Sequence, residues 1–346
     1  MVELCSAERF SWTAMTLATA IVAATPWLHS TYEHGKLMPS APGPPQTPSS
    51  RAGIGSLLNG LRANVVPKRL FAHFYLLCLV STTLVFADVF FYGGSLFTDR
   101  VQSMSKCSRI AGRSNNAAEM GVESLVCLFL LTLHAARRLW ECIAVTNWGS
   151  SRMTIISYAV GIAHYQLMVL TVLAEAPPLA SLVRDRGLVW GGDNYSMYSN
   201  NASGFGPVLV AVAGSVTFRH AVAVGLFVVG FVRQHEAIRH LASLRGGRGR
   251  AGDGSSKATT TNTYAIPTEG WFQHVSSPHY LAELLVYSAF VVLGSFKGRG
   301  LGQGYLVAFA WVFANQALVG GRTHAWYQQK FEDYPRERKR LIPGVW

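Results

Sequence analysis

Charged side chains are scarce in this sequence. Only 14% of its 346 residues are Asp, Glu, Lys or Arg, and 50% are hydrophobic, whereas about a quarter of the residues of an ordinary soluble domain are charged. The shortage of charge excludes a plain soluble enzyme, and the apolar content excludes a chain that is disordered throughout. The composition therefore predicts an all-α, multi-pass integral membrane protein.

Acidic residues are also few, and the cysteines and histidines lack the spacings of metal-binding motifs. Asp and Glu number 18 against 30 Lys and Arg, so the net charge is +12. The cations lie in loops and at the C-terminus, where they indicate membrane topology and sites for anionic ligands, and we predict no nucleic-acid partner. The five cysteines form no C-x-x-C spacing or paired framework, and His235 and His240 are one residue too far apart for a zincin helix. We therefore infer neither a disulfide nor a metal site.

Seven apolar runs indicate membrane-spanning helices, since lipid offers the backbone no hydrogen-bond partner outside a helix. We predict about seven transmembrane helices from them. Residues 1–65 are predicted to hold an N-terminal anchor span and a flexible Pro-rich loop, and residues 66–346 the main membrane domain, with a disordered insert at 246–263. The seven runs cover approximately residues 10–28, 70–94, 120–140, 154–176, 205–232, 279–296 and 301–325.

The distribution of Lys and Arg predicts how these helices are oriented. The first, third and fifth loops and the C-terminal tail hold 19 basic residues, whereas the N-terminus and the other loops hold 9. The positive-inside rule therefore predicts a cytosolic C-terminus and a lumenal N-terminus. Both N-glycosylation sequons, at Asn194 and Asn201, fall in the fourth loop, which is on the predicted lumenal side.

Polar residues are concentrated where the last apolar run meets the cytosol. Asn315 lies inside the run, where a buried amide needs a cavity or a partner, and His324 and Tyr327 are three residues apart and share a helix face. A basic cluster that includes Arg338 follows Pro335, which should end the helix near that point. The group can be interpreted as an aromatic belt with basic anchoring, or as a phosphate site in which arginine makes bidentate contacts.

Two further polar positions interrupt apolar helices. Glu283 lies about one turn into the sixth run, where a carboxylate indicates a functional site unless it pairs with an arginine of a neighbouring helix. His134 lies a turn deeper than Arg137 and Arg138, whose guanidinium groups should reach the interface while Glu141 pairs with one of them. Two single histidines in apolar spans are interpreted as structural, namely His164 and His220.

Four motifs of polar and aromatic residues occur in order along the chain. They are Val66-Pro67-Lys68-Arg69-x-Phe71-x-His73-Phe74-Tyr75, Leu133-His134-x-x-Arg137-Arg138-Leu139-x-Glu141-Cys142, Trp271-Phe272-x-x-Val275-Ser276-Ser277-Pro278-x-Tyr280-Leu281-Ala282-Glu283-Leu284, and His324-x-Trp326-Tyr327-x-x-Lys330-Phe331-x-Asp333-Tyr334-Pro335 followed by Arg338-Lys339-x-Leu341-Ile342-Pro343. Together they resemble the steroid 5α-reductase family, and within it the polyprenol (polyprenal) reductase branch. The resemblance extends from about residue 66 to the C-terminus, with a gap over the insert, so the reductase-like domain is residues 66–346.

The resemblance implies a seven-span bundle that binds NADPH from the cytosolic side. Ala135 stands where steroid-reducing members place a tyrosine, which argues against a steroid substrate, and His279 stands where the family usually has asparagine. By position in the family pattern, or as members of the C-terminal cluster, nine residues are predicted to bind the cofactor: Gln234, Arg245, Tyr264, His279, Glu283, Asn315, His324, Tyr327 and Arg338.

The resemblance also implies reduction of the double bond in the α-isoprene unit of a polyprenyl lipid, in the membrane of the endoplasmic reticulum, to supply dolichol for protein N-glycosylation. An isolated alkene does not readily accept hydride, because the resulting carbanion has nowhere to place its charge. An aldehyde at C1 conjugates the alkene, so that hydride addition at C3 gives an enolate, which a positioned donor stabilises. We therefore favour polyprenal over polyprenol as the substrate, with His134, Glu119 and Glu123 as unranked candidates for the donor.

Three other classes of protein remain open. A trans-2-enoyl-CoA reductase uses the same chemistry but would need an extra domain or a basic cleft for CoA, and a 3-oxo-5α-steroid 4-dehydrogenase is disfavoured by Ala135. The third class, which is not an enzyme, is a seven-span receptor or transporter. A receptor would not need the C-terminal motif, and a transporter usually has repeated halves, of which we find none. The sequence makes no prediction of the oligomeric state.

Overall fold

A computed structural model of the chain describes residues 4–24, 64–105, 107, 113, 117–179, 217–246, 264–295 and 303–346. The Pro-rich loop, both sequons and the predicted insert after Gly246 lie outside these residues. The described part is mostly helical, as the composition predicts. Its α-helices are α1 (Leu4–Ala24), α2 (Phe71–Phe91), α3 (Thr98–Ser103), α4 (Ala117–Trp140), α5 (Ile155–Glu175), α6 (Phe218–Gly246), α7 (Pro278–Leu293) and α8 (Gln303–Lys330).

Short elements connect these helices at one end of the bundle. Strand β1 (Val65–Pro67) pairs antiparallel with β2 (Arg152–Thr154), so that Val66 lies opposite Met153. A 3-10 turn at Lys68–Leu70 leads into α2, a π-helical turn at Glu141–Val145 continues α4, and a 3-10 turn at Gly270–Gln273 precedes α7. We call this end, where α4, α6 and α8 finish and the C-terminal tail packs, the tail end of the bundle.

Five helical segments in the described residues are long and apolar enough to cross a membrane. They are Lys68–Phe91, Met120–Val145, Ile155–Glu175, Phe218–Arg245 and Gln303–Lys330. They fall on five of the seven apolar runs and support a multi-pass membrane protein. Helix α7 is apolar but has 16 residues, fewer than the roughly 20 that a full span needs. Helix α1 carries polar side chains and is not among the five, so the total of seven and the orientation stay predictions.

Two helix boundaries differ from the sequence prediction. The fifth run was expected to end at 232, but α6 continues to Gly246. An apolar run marks the part of a helix suited to hydrocarbon, and polar residues such as Arg233 extend the same helix beyond it. Conversely, α8 ends at Lys330, before the stop expected near Pro335. The ring of Tyr334 instead folds back to stack on Tyr327, with centroids 5.3 Å apart and planes at 7°.

The helices pack so that α6 lies along α7, α2 lies between α4 and α5, and α8 contacts α1 and α7. Gly230 permits the close approach of α6 to α7, because a Cβ there would lie 2.6 Å from the carbonyl oxygen of Ala282. Helix α1 is fixed by polar contacts: Trp12 donates to the Thr171 hydroxyl at 2.9 Å, and Arg9 pairs with Glu175 at 2.6 Å.

The described cysteines depart from the sequence prediction in one respect. Cys107 is disulfide-bonded, although no disulfide was inferred. Cys78, Cys127 and Cys142 are buried thiols, as expected of packing residues. The disulfide could not be predicted from the sequence, because its formation depends on how close two cysteines lie in the fold. The spacing of those cysteines along the chain need not follow any pattern.

Candidate active site

A buried polar cluster joins α4, α6 and α7 toward the tail end of the bundle. Glu283 lies five residues after Pro278, which starts α7 at a position where proline is favoured. One of its carboxylate oxygens lies 3.4 Å from His134 Nε2, and the other accepts a short hydrogen bond from the amide of Gln234. All three residues are buried. Three residues predicted as separate site candidates therefore meet at one place.

A second carboxylate organises the end of α4. Glu141 accepts short hydrogen bonds from both Arg137 and Arg138 and lies 2.8 Å from His235 Nδ1. The expected pairing of Glu141 with a neighbouring arginine is thus confirmed, and it involves both arginines. The second guanidinium nitrogen of Arg138 donates to the hydroxyl of Tyr75 at 2.9 Å.

The two carboxylates belong to one network. Arg137 donates a short hydrogen bond to the amide oxygen of Gln234, whose nitrogen donates to Glu283. Buried charges are tolerated only when they are paired and hydrogen-bonded in this way. Among the described residues, Glu283 therefore contacts the amide of Gln234 and the ring of His134. The alternative expectation, an ion pair with an arginine of a neighbouring helix, is not observed there.

An aromatic group lies beside this network, one helical turn further along α7. Tyr287 follows Glu283 by four residues, and its hydroxyl lies 2.5 Å from His164 Nε2. The ring of Tyr165 is 5.0 Å from that of Tyr75, at a steep angle. Tyr75 is part of the first sequence motif, but Tyr165 and Tyr287 were not predicted as site residues. The spacing of four residues after Glu283 could have indicated Tyr287, because residues four apart share a helix face.

The C-terminal tail and the segment before α7 form a second group at the tail end. Tyr264 packs edge-on against Trp326 with centroids 5.0 Å apart. His324 Nδ1 and the Tyr334 hydroxyl each lie 2.6 Å from the Ser276 hydroxyl. Backbone hydrogen bonds of 2.9 Å between residues 274–276 and Lys339 complete the contact.

Arg338 and Ser277 give this second group its capacity to bind a ligand. Arg338 is 4% exposed, donates to the carbonyl of Pro267 at 3.0 Å, and lies 5.0 Å from the centre of the Tyr334 ring. Its Nε and the hydroxyl of Ser277 are buried and have no hydrogen-bond partner among the described residues. Buried donors without acceptors are uncommon in folded proteins, and ligand atoms are one way to satisfy them.

Other predicted site residues lie around these two groups. Arg245 is exposed at the end of α6 and donates to the carbonyl of Asn147 at 2.8 Å. The ring of His279 lies 4.1 Å from that of Tyr280, at the start of α7. Asn315 is half-buried in the middle of α8, apart from the C-terminal cluster with which it was grouped.

Glu123 lies at the other end of α4 from His134. It is 1% exposed, forms a short ion pair with Arg219, and lies 3.2 Å from His220 Nε2. Eleven residues separate Glu123 from His134, which corresponds to about 16 Å along a helix. The structure therefore does not bring these two donor candidates together. The side chain of Glu119, the third candidate, lies outside the described part.

Comparison with known proteins gives one family and several curated relatives. A family described as 3-oxo-5-alpha-steroid 4-dehydrogenase matches residues 212–346. Polyprenal reductase of Danio rerio is 30% identical over 281 residues, covering 80% of this chain and 79% of the relative. Polyprenal reductase 2 of Arabidopsis thaliana is 29% identical over 319 residues, covering 86% and 88%. Polyprenal reductase 1 of Oryza sativa subsp. indica is 28% identical over 365 aligned positions, covering 97% and 96%.

Proposed function

This chain belongs to the steroid 5α-reductase family, in its polyprenal reductase branch, and from that premise we propose that it reduces the α-isoprene double bond of polyprenal to give dolichal, with NADPH as the reductant. The observation that carries the proposal is the likeness to polyprenal reductases over four fifths of the chain. The buried cluster of His134, Gln234 and Glu283 supports it, because a polar centre inside an apolar bundle needs a functional reason.

The bundle suits a substrate that stays in the bilayer. A polyprenyl chain is too apolar to leave the lipid, so only its head group needs to reach the polar centre. The five helices long enough to span a membrane would flank the polyprenyl chain. His134 lies within one of them, six residues before the end of α4. This placement fits an aldehyde head group that enters from the lipid side.

The tail end of the bundle suits NADPH, which supplies a hydride when bound. Arg338 and Ser277 offer buried donors without partners among the described residues, and Arg338 matches the geometry that phosphate groups prefer. The ring of Tyr264, which packs edge-on against Trp326, offers a flat surface nearby. We propose that the nine residues predicted from the sequence hold the cofactor: Gln234, Arg245, Tyr264, His279, Glu283, Asn315, His324, Tyr327 and Arg338.

The cluster at Glu283 would position the reacting groups. Gln234 and His134 hold the Glu283 carboxylate from two sides, so its orientation is fixed before any ligand binds. Such preorganised polar groups stabilise charge that develops in a water-poor site. His134 stays a candidate donor to the aldehyde oxygen. Glu123 is the less suitable candidate, because Arg219 and His220 already engage it at the far end of α4.

We propose that the protein lies in the endoplasmic reticulum membrane with its N-terminus in the lumen and its C-terminus in the cytosol, and that its product supports N-glycosylation. The disulfide at Cys107 supports this orientation. Disulfides persist in oxidising compartments, and Cys107 belongs to the second loop, which the basic residues assign to the lumen.

Product analysis tests the proposed function. Membranes carrying the chain are given NADPH with polyprenal, polyprenol or a Δ4-3-oxosteroid in parallel, and membranes without the chain serve as the control. We expect dolichal from polyprenal alone. Dolichol formed from polyprenol without an aldehyde would overturn the chemical argument, and reduction of the steroid alone would overturn the substrate assignment. NADH supplied in place of NADPH tests the cofactor, and equal rates would contradict the choice of NADPH.

A further inference from the structure

A buried histidine and tyrosine form a pair that the proposed function does not use. His164 lies on α5 and Tyr287 on α7, and their Nε2 and hydroxyl oxygen are 2.5 Å apart. The two residues are 6% and 1% exposed. From the sequence, His164 is interpreted as structural, since a lone histidine in an apolar helix usually is. The contact with Tyr287 changes that interpretation, because it couples two groups that can move a proton.

Hydrogen bonding assigns the tautomer of His164. Its Nδ1 is buried and has no hydrogen-bond partner among the described residues. With the proton on Nδ1, that buried N–H would have no acceptor among the described residues. With the proton on Nε2, the donor left over is the O–H of Tyr287, which a ligand oxygen can satisfy, so we assign the proton to Nε2. His164 then donates to the hydroxyl oxygen of Tyr287. The O–H of Tyr287 consequently has no acceptor within the part of the chain that the structure describes.

Further polar and aromatic groups lie close to the pair. Tyr287 follows Glu283 by one turn on α7, and Glu283, Tyr75 and Cys78 lie within electrostatic range of its hydroxyl. The ring of Trp311 lies 4.7 Å from that of His164, and its N–H is also buried without an acceptor among the described residues. A buried donor without an acceptor lowers the stability of the fold. A bound oxygen atom would recover that free energy.

We propose that Tyr287 is the catalytic acid that donates to the aldehyde oxygen of polyprenal, and that His164 is the positioning residue that orients its hydroxyl. The inference rests on the proposed function and deepens it. It adds a donor outside the set of His134, Glu119 and Glu123. His134 contacts the Glu283 carboxylate, one turn before Tyr287 on α7.

The proton and electron balance of this step is complete. C3 receives a hydride with its electron pair from the reduced nicotinamide, the C2–C3 π bond becomes a C1–C2 π bond, and the carbonyl π pair moves to oxygen. That oxygen takes the phenolic proton of Tyr287, and the N–H of His164 stabilises the phenolate that is left. The enol then takes a proton from water at C2 and returns its hydroxyl proton to Tyr287. The net uptake is one hydride and one proton.

The test replaces the hydroxyl of Tyr287 and leaves its ring. Tyr287→Phe should lower kcat for polyprenal by about 10²–10³-fold, as the loss of one oxyanion donor does in other enzymes, while KM for NADPH and the melting temperature stay near the wild-type values. Tyr305→Phe is the matched control, because Tyr305 is an equally buried tyrosine near Cys127, away from the polar cluster. The control should keep its activity.

A binding measurement gives a readout other than turnover. A short polyprenyl 2-enoic acid, such as geranylgeranoic acid, carries a negative oxygen where the enolate would have one. It should raise the melting temperature of the wild type and of Tyr305→Phe, and it should not raise that of Tyr287→Phe. Equal protection of all three proteins would overturn the proposal.

Substitutions of His164 keep the inference testable if Tyr287→Phe does not fold. His164→Gln can still donate from its side-chain nitrogen and should retain more kcat than His164→Leu, with KM for NADPH alike in both. Equal kcat values in these two variants, or a kcat of Tyr287→Phe like that of the wild type, would refute the role of the pair. A wild type that does not reduce polyprenal would instead refute the proposed function.

Discussion

Removal of Glu141 should weaken the tail end of the bundle. Its side chain is 0% exposed and pairs with Arg137 and Arg138, which are 8% and 17% exposed, and with His235. Removing one partner of a buried ion pair costs about 3–5 kcal/mol, because the remaining charge loses its compensation. Glu141→Ala leaves two guanidinium groups in that position, so we expect a loss of at least about 3 kcal/mol.

Thermal unfolding in detergent measures this effect. A change of 1 kcal/mol shifts the melting temperature by about 2–4 °C in a domain of 150–250 residues. This chain has 346 residues, so a shift near the lower end of the range is expected, about 6 °C for a loss of 3 kcal/mol. Glu141→Gln keeps one hydrogen-bond acceptor and loses the charge, and it should fall between Glu141→Ala and the wild type.

The chain offers a matched control on its surface. Glu236 pairs with Arg233 at 2.9 Å with the same spacing of three residues as Arg138 and Glu141, but its side chain is 53% exposed. Exposed pairs contribute about 1 kcal/mol or less, so Glu236→Ala should scarcely change the melting temperature. If both alanine variants melt together, burial of the Glu141 network does not stabilise the fold and the reasoning is wrong.

Three further changes test the cofactor site, the packing and the topology. Arg338→Ala should raise KM for NADPH more than KM for the lipid, and an unchanged cofactor KM would remove this residue from the site. Gly230→Ala should destabilise the protein by about 1–3 kcal/mol, because its Cβ would overlap the backbone of α7, whereas Gly225→Ala meets nothing within 4 Å and should be tolerated. Endoglycosidase should shift the mobility of the wild type and not that of an Asn194/Asn201 double variant, and a wild type without a shift would contradict a lumenal fourth loop.

Much of the helical architecture could be predicted from hydropathy, because lipid leaves the backbone few alternatives to the helix. The runs at 70–94 and 154–176 correspond closely to α2 and α5. The end of α6 could not be predicted in the same way, since its last turns are polar and continue past the apolar run. Helix α7 differs in the opposite direction. Its apolar run predicts a membrane span, but the described helix has 16 residues and is short for one.

The candidate site was only partly predictable. Glu283 and His134 stand out because a charged or polar group inside an apolar helix needs a partner, and the structure makes them partners. Tyr287 does not stand out, because a tyrosine in an apolar helix is ordinary, and its importance appears only with His164 beside it. Glu123 was one of three unranked donor candidates, and its ion-pair partner Arg219, which comes from a different helix, could not be predicted from the sequence.

The amino-acid sequence is enough to identify a helical membrane protein with four motifs of the steroid 5α-reductase family. Those properties depend on composition and local order, which a single chain carries along its length. Which polar groups meet depends on the tertiary structure. Helical periodicity fixes the face on which a side chain lies but not the helix that faces it. That choice depends on close packing between distant segments. For example, Gly230 allows α6 to approach α7 closely, and Gln234 on α6 then donates a hydrogen bond to Glu283 on α7.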